Sequence, residues 1–255
     1  MKNHGMQWVF FAAALFAGGV HAAEKLHPRT QCPLSGSKGQ TILLIDSTDP
    51  LPLAAHENLK QLFRGFRDSS NDHYLPVGNE LIVYHLAQKV SDLAKPVRVC
   101  NPGNPADRTW VDDLTSGKVG AQKKWRRFEK RVLDGLPAPS PMTRKQSPLL
   151  ETIRLIAAKH ASSIGVGKPR KPTNMIVFSD MLQHSAKMSH YKNLPEIEAL
   201  DNPAVKSNLM GVDVWLYYVQ RPDDREQRIQ TTDHFHWWTR AVEFLGGKLM
   251  EQNPL

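Results

Sequence analysis

Five short apolar runs along the chain have the length and composition of β-strands. They cover residues 41–45, 81–86, 97–99, 175–178 and 212–219. These runs are rich in Ile, Val, Leu and Tyr, and several are continuous and not alternating, as expected for strands that helices cover on both faces. The pattern therefore predicts a buried sheet.

Apolar residues at helical spacing lie between these runs. The sets are Leu59, Leu62, Phe63 and Phe66; Leu149, Ile153, Ile156 and Ala157; and Trp238, Ala241, Val242 and Leu245. We predict that Ser147 caps the second helix with Pro148 as its first residue, and that the third begins after Asp233 and stops at Gly246 and Gly247.

Strands that alternate with helices predict an α/β fold. We expect a mostly parallel central sheet with helices on both faces, in a Rossmann-like arrangement. The run at residues 97–99 is an exception, because only about ten residues separate it from the preceding strand and a helical crossover needs about a dozen or more. It is therefore predicted to be an antiparallel edge strand.

The first residues of the chain look like a secretory signal peptide. A lysine precedes an apolar run at residues 8–20, and small residues suited to a signal peptidase follow. The run is shorter than the roughly 20 residues of a membrane-spanning helix, so an uncleaved anchor is the lesser alternative. We predict a signal peptide at 1–23, a single domain at 24–255, and an extracytoplasmic location, periplasmic or secreted.

The chain has two cysteines, Cys32 and Cys100. In an exported protein, an isolated pair is most often a disulfide. The alternative is two unpaired thiols, and the absence of a Cys-x-x-Cys motif argues against zinc.

The formal net charge of +8 indicates an acidic partner or surface. Much of the excess lies in a basic helical insertion around residues 104–146, where Trp125, Phe128 and Val132 recur at helical spacing. The basic side chains around the other faces are Lys123, Lys124, Arg126, Arg127, Lys130 and Arg131. This helix is either a solvated surface or a docking patch for an acidic protein or anionic membrane lipids, and nucleic acid is the least expected partner of an exported chain.

Oxygen-bearing side chains follow the predicted strands. The first strand ends in Asp46, Thr48 and Asp49, a later strand ends in Asp180, and Ser147 precedes a helix. Ligands of open α/β sheets bind beyond the carboxyl ends of the strands, and such oxygens suit Mg²⁺ or Mn²⁺. The same side chains could instead cap helices and loop amides.

The order of these motifs resembles the von Willebrand factor A (vWA) domain. That family carries a metal-ion-dependent adhesion site formed by Asp-x-Ser-x-Ser, a Thr and an Asp on three loops. The resemblance implies that Asp46 and Thr48 match the first motif, Ser147 the Thr, and Asp180 the final Asp. The third position of the first motif falls on Pro50, which has no side-chain oxygen, so the site is degenerate unless Asp49 compensates.

The resemblance implies a binding or assembly module. In the family, the metal leaves one coordination position for an acidic group of the partner, here a protein that belongs to an envelope or secretion assembly. The alternative is a metal-dependent hydrolase using the same loops, for which Asp49 or His184 could serve as a base. His184 and His190 follow Asp180, and His234 and His236 begin the last predicted helix. Neither pair has the spacing of three or four that suits a metal pair on one helix, so we expect these histidines to be exposed or locally hydrogen-bonded.

Overall fold

The fold is a six-stranded mixed sheet with helices between its strands. The computed structural model describes residues 25–67, 74–107, 117–137, 145–160, 171–201 and 209–254. Its strands are β1 (Gln40–Ile45), β2 (Glu80–His85), β3 (Val97–Cys100), β4 (Thr173–Ser179), β5 (Val212–Tyr218) and β6 (Lys248–Pro254), in the spatial order β3-β2-β1-β4-β5-β6. All neighbouring strands are parallel except β2 and β3, which confirms the predicted α/β class and the antiparallel edge strand.

Five helices connect these strands in the described part of the chain. They are α1 (Leu53–Gly65), α2 (Lys118–Leu133), α3 (Leu149–His160), the short α4 (Asp224–Gln227) and α5 (Thr232–Phe244). The predicted helices correspond to α1, α2, α3 and α5.

The sheet is buried on both faces because its central strands present alternate apolar side chains to two cores. Ile42 and Leu44 of β1 point to the core that α3 and α5 complete. Leu43 and Ile45 point to the opposite core, which α1 and α2 complete. Every residue of β1 is buried, as its continuous apolar sequence predicts.

The start of α3 differs from the predicted cap. The backbone N–H of Leu150 donates to Oε1 of Gln183 at 2.8 Å, so a side chain from a distant loop satisfies the helix end. The hydroxyl of Ser147 instead donates to Asp46 at 3.0 Å. The prediction that Ser147 caps this helix was therefore wrong, because Gln183 accepts the hydrogen bond of the Leu150 N–H and the Ser147 hydroxyl is directed at Asp46.

The predicted disulfide is present. Cys32 and Cys100 are bonded, with their Cα atoms 4.9 Å apart. Because Cys100 ends β3, the bridge fixes the segment before β1 to the antiparallel edge of the sheet, and the backbone N–H of Cys100 also donates to the carbonyl of Thr30 at 2.9 Å.

The sixth strand was not predicted. β6 pairs in parallel with β5, and the register shifts between Val214 and Trp215. Its sequence, KLMEQNP, is polar and includes a proline, which is tolerated at a sheet edge because no further strand needs its N–H.

The basic helix α2 packs through the residues predicted from its spacing. Phe128 and Val132 are fully buried in the α1 side of the core, and Trp125 is half-buried with its ring centroid 5.1 Å from that of Phe128. The predicted signal peptide and the remainder of the insertion, at residues 108–116 and 138–144, lie outside the described residues. No described helix is both long and apolar enough to cross a membrane.

Candidate functional site

A polar cluster lies where the sheet reverses its strand order. From β1 the chain continues to β2 and β3 on one side of the sheet, and from β4 it continues to β5 and β6 on the other side. The neighbouring strands β1 and β4 therefore form the topological switch point. Asp46 directly follows β1, and Asp180 directly follows β4. In open α/β sheets this crevice is the usual ligand site.

Asp46 is completely buried and accepts four hydrogen bonds. Its Oδ1 accepts from the backbone N–H of Thr48 at 3.0 Å and from the Thr48 hydroxyl at 2.6 Å. Its Oδ2 accepts from the hydroxyls of Ser147 at 3.0 Å and Ser179 at 2.8 Å. A carboxylate offers about four acceptor positions, so the bonding capacity of Asp46 is filled.

A pair of backbone hydrogen bonds holds Ser147 in this cluster. Its N–H donates to the carbonyl of His184 at 2.8 Å, and the His184 N–H returns a bond of 2.9 Å. The loop after β4 and the start of α3 are therefore fixed together. The structure thus brings three of the predicted residues, Asp46, Thr48 and Ser147, into direct contact.

Asp180 has a different partner, which the sequence did not reveal. Its Oδ1 accepts from the backbone N–H of Leu182 at 2.9 Å, and its Oδ2 accepts from Nε of Arg221 at 2.7 Å. Both side chains of this ion pair are buried, with 4% of Asp180 and 7% of Arg221 exposed.

Two further contacts hold Arg221 in place. Its Nη1 donates to the carbonyl oxygen of Pro50 at 2.5 Å. Its backbone N–H donates to Oε1 of Gln230 at 2.8 Å, and Nε2 of Gln230 donates to the carbonyls of Asp180 at 3.0 Å and Val219 at 2.8 Å. Gln230 therefore ties the ends of β4 and β5 together around the guanidinium.

The charges of this cluster influence one another strongly. The pKa of Asp180 is raised to about 7, because burial disfavours its charged form and the carboxylate of Asp46 repels a second negative charge, while Arg221 acts in the opposite direction. Burial would lower the pKa of Arg221, but Asp180 and Asp46 outweigh it and the pKa is raised. Arg221 and the backbone N–H of Leu182 both favour the ionised form of Asp180.

The predicted Mg²⁺ or Mn²⁺ does not fit the residues as they are arranged. Asp46 has no acceptor position left, and Asp180 is paired with a guanidinium. The hydroxyl of Thr48 donates its hydrogen bond to Asp46. Among the described residues, no group of three or more His, Cys, Asp or Glu side chains could hold a metal ion. Asp49, the side chain predicted to compensate for Pro50, lies half-buried beside this cluster.

A cavity of about 600 Å³ opens next to the ion pair. It is lined by residues 49–52, by Lys145, His184 and Tyr191, and by residues 221–223, 225 and 226. Arg221 is at its base, and Nη2 of this side chain is buried without a hydrogen-bond partner among the described residues. The side chain of Arg225 lies over the ring of Tyr191, 4.6 Å from its centroid.

A second buried polar group lies behind the loop that follows β4. Nδ1 of His190 is 2.9 Å from Nε2 of His234, and the Tyr218 hydroxyl is hydrogen-bonded to Nδ1 of His234. Both histidines are buried, so the alternative that they are exposed was wrong. Burial lowers the pKa of His190 to about 3, aided by His234, and burial lowers the pKa of His234 to about 4.

These two histidines predict a loss of stability on acidification. Below the ordinary histidine pKa of about 6.5, the unfolded chain binds protons that buried His190 and His234 do not bind, so the unfolded state is favoured. Lowering the pH from about 7.5 to about 5.5 should cost about 1.4 kcal/mol per histidine, or roughly 3 kcal/mol together. Asp180 titrates in the same range with the opposite sign, because its pKa is raised. The contribution of the two histidines is therefore the difference in pH dependence between the wild type and a variant that lacks both, measured by urea unfolding at the two pH values. The double variant His190→Gln/His234→Gln should lack this contribution, and an unchanged dependence would contradict the prediction.

The fold and the site define an α/β protein with an open, mostly parallel sheet and a buried polar cluster at its switch point. No protein-family model and no curated protein matches the chain. The solved structure of proximal thread matrix protein 1 (PTMP1) from the mussel byssus is similar at a TM-score of 0.34 and 13% sequence identity, over 82% of this chain. This chain covers 47% of the PTMP1 chain, about half of its length. A similarity this distant is not evidence for a function.

Proposed function

We propose that this chain is an extracytoplasmic, vWA-like binding or assembly module that engages acidic groups of a protein partner. The observation that carries the proposal is the basic face of α2. Its members are the exposed side chains Lys123, Lys124, Arg126, Arg127 and Lys130. None of the five forms an ion pair with a described carboxylate.

The described acidic side chains on this helix and at its end do not neutralise the basic face. Glu129, on the same helix, lies 4.0 Å from Arg67 of the neighbouring segment. Asp134, just beyond the helix end, pairs with Arg131 at 3.1 Å, which removes Arg131 from the predicted set of free cations. The basic face therefore presents five positive charges to solvent, where they attract an acidic surface before contact.

The helix that carries these charges is rigidly supported. Phe128 and Val132 are buried, and their side chains hold α2 against the sheet. Charges on a fixed scaffold lose less conformational freedom on binding than charges on a mobile segment, which favours a docking role.

The hydrogen bonding of Asp46, Asp180 and His184 favours a binding role for the polar cluster over water activation by these three side chains. A hydrolase that activates water needs a group free to accept a proton. The carboxylate of Asp46 is filled by four hydrogen bonds, Asp180 is bonded to Arg221, and Nδ1 of His184 lies 2.8 Å from the Ser189 hydroxyl. The cavity beside Arg221 is proposed as a second contact region, in which a side chain of the partner would bind.

An extracytoplasmic location is part of the proposal. The leader at residues 1–23 has the composition of a signal peptide. The bond between Cys32 and Cys100 supports the same location, since structural disulfides persist in oxidising compartments.

Neutralising the basic face should abolish binding to an acidic polypeptide. The variant changes Lys123, Lys124, Arg126 and Arg127 to Gln, and the probe is a polyglutamate peptide. We expect wild-type binding to weaken steeply from about 50 mM to about 500 mM NaCl, because screening shortens the reach of exposed charges, and the variant to bind at least about tenfold more weakly at low salt. Its free energy of unfolding should change by less than about 1 kcal/mol.

A matched control removes the same charge elsewhere. The control variant changes four exposed cations outside α2 to Gln: Lys89, Lys95, Lys192 and Arg228. Equal weakening in both variants would mean that net charge alone drives binding, and the proposal would fail. Stronger binding of the wild type to anionic lipid vesicles than to the peptide would identify a membrane surface and not a protein as the partner.

A further inference from the structure

The guanidinium of Arg221 places a positive charge beside the loops from which the vWA resemblance implies ligands for a divalent cation. Two of its nitrogens contact loops of the implied metal site, because Nε donates to Asp180 and Nη1 donates to the carbonyl of Pro50. These loops follow β4 and β1, the two strands of the switch point. The positive charge thus comes from the chain itself, at the end of β5.

Arg221 contacts the first loop at its unusual residue, through a backbone carbonyl that any residue would present. Pro50 stands at the position where the resemblance implies a hydroxyl that would bind the metal. A proline offers only its carbonyl oxygen there, and this oxygen accepts a hydrogen bond of 2.5 Å from Arg221. The cluster therefore lacks a hydroxyl that the vWA resemblance implies and contains a guanidinium that it does not imply.

Arg221 offsets one of the two carboxylate charges of the cluster, the charge on Asp180. A dication placed beside Asp180 would lie within a few ångströms of the guanidinium, and like charges at that distance repel strongly in a buried site. Gln230 restricts the movement of Arg221 away from the cluster. It hydrogen-bonds the backbone N–H of Arg221 and two carbonyls at the ends of β4 and β5.

We propose that Arg221 is the built-in cation of this site, so that the cluster of Asp46, Thr48, Ser147 and Asp180 forms without a divalent metal ion. This goes beyond the proposed function, because the basic face of α2 is a separate surface. Chelators should leave both folding and partner binding unchanged. Removing the guanidinium should convert the cluster into a metal site.

The test is calorimetric titration with Mn²⁺. The wild type and Pro50→Ser should show no binding at millimolar Mn²⁺, because the guanidinium remains in both. The double variant Pro50→Ser/Arg221→Ser supplies the missing hydroxyl and frees Asp180, and it should bind Mn²⁺ at least about tenfold more tightly than the wild type. Its melting temperature should rise with Mn²⁺ concentration, since the ion binds only the folded state.

Two matched variants separate charge removal from site creation. Pro50→Ser/Arg225→Ser loses one positive charge from an exposed side chain of the same cavity and should gain no binding. Pro50→Ser/Arg221→Lys keeps a positive charge at the site and should also gain none. Mn²⁺ binding by the wild type or by the lysine variant would overturn the proposal, and so would a folded serine double variant that binds no Mn²⁺.

The test remains decisive if Pro50→Ser/Arg221→Ser does not fold without metal. The wild type and the lysine variant then carry the test, and the absence of Mn²⁺ binding in both supports the proposal. A wild type whose melting temperature falls on addition of EDTA would overturn it.

Discussion

Replacing Arg221 by methionine is expected to lower the free energy of unfolding by roughly 3–5 kcal/mol, the loss typical of breaking a buried ion pair from one side. Asp180 is 3% exposed and would lose its charged partner while remaining close to the carboxylate of Asp46. A buried charge without a partner is costly, whereas the pair itself contributes little net stability. Chemical denaturation of the variant at neutral pH measures the loss.

The double variant Arg221→Met/Asp180→Leu provides the comparison. Because both charges are removed together, it should recover much of the stability that Arg221→Met loses. Arg225→Met serves as a control, since this exposed cation lies over Tyr191 and forms none of these contacts, and it should cost less than about 1 kcal/mol. Equal losses in Arg221→Met and Arg225→Met would show that the buried ion pair has no special role.

Removing the disulfide should have an effect of similar size. The bond between Cys32 and Cys100 closes a loop of 68 residues. On the chain-entropy account, opening such a loop costs about 4 kcal/mol, because the unfolded chain gains conformational freedom. The variant Cys32→Ser/Cys100→Ser should therefore unfold at a markedly lower urea concentration than the wild type.

Reduction of the wild type gives an independent check on this value. A reductant should lower the stability of the oxidised wild type to about that of the serine double variant, and it should leave the double variant unchanged. Mass spectrometry of alkylated protein without reductant should detect no free thiols. Two alkylated cysteines in the native protein would contradict the assignment.

The sheet was predictable because its strands carry a strong local signal. β1, β4 and β5 are apolar along most of their length, and only strands covered on both faces need such sequences. β6 was missed for the opposite reason, since an edge strand can be polar and its pairing depends on β5. The short link before β3 was enough to predict its antiparallel direction.

The site was predictable only in part. Asp46 and Asp180 could be placed near each other because residues after adjacent parallel strands meet at one edge of the sheet, and the vWA resemblance added Ser147. Arg221 gives no such signal, since a single arginine after β5 looks like an ordinary loop residue. Pro50 marked a departure from the motif that the vWA resemblance implies, but the sequence did not point to Arg221.

The buried histidines show a similar limit. His190 and His234 are 44 residues apart, and neither lies in a recognisable motif. Their pairing depends on the loop after β4 crossing the start of α5, a tertiary contact that sequence spacing does not encode. Tyr218, the last residue of β5, completes the group by hydrogen bonding to His234.

A crystal structure of the protein grown in millimolar Mn²⁺ is the most direct test of whether this buried polar cluster contains its own cation. The anomalous signal of manganese identifies the ion and distinguishes it from water or a lighter cation. We predict no manganese peak at the cluster, with the Arg221 guanidinium between Asp180 and the carbonyl of Pro50. A manganese peak bound by Asp46, Thr48 or Asp180, with Arg221 displaced from Asp180, would contradict this prediction.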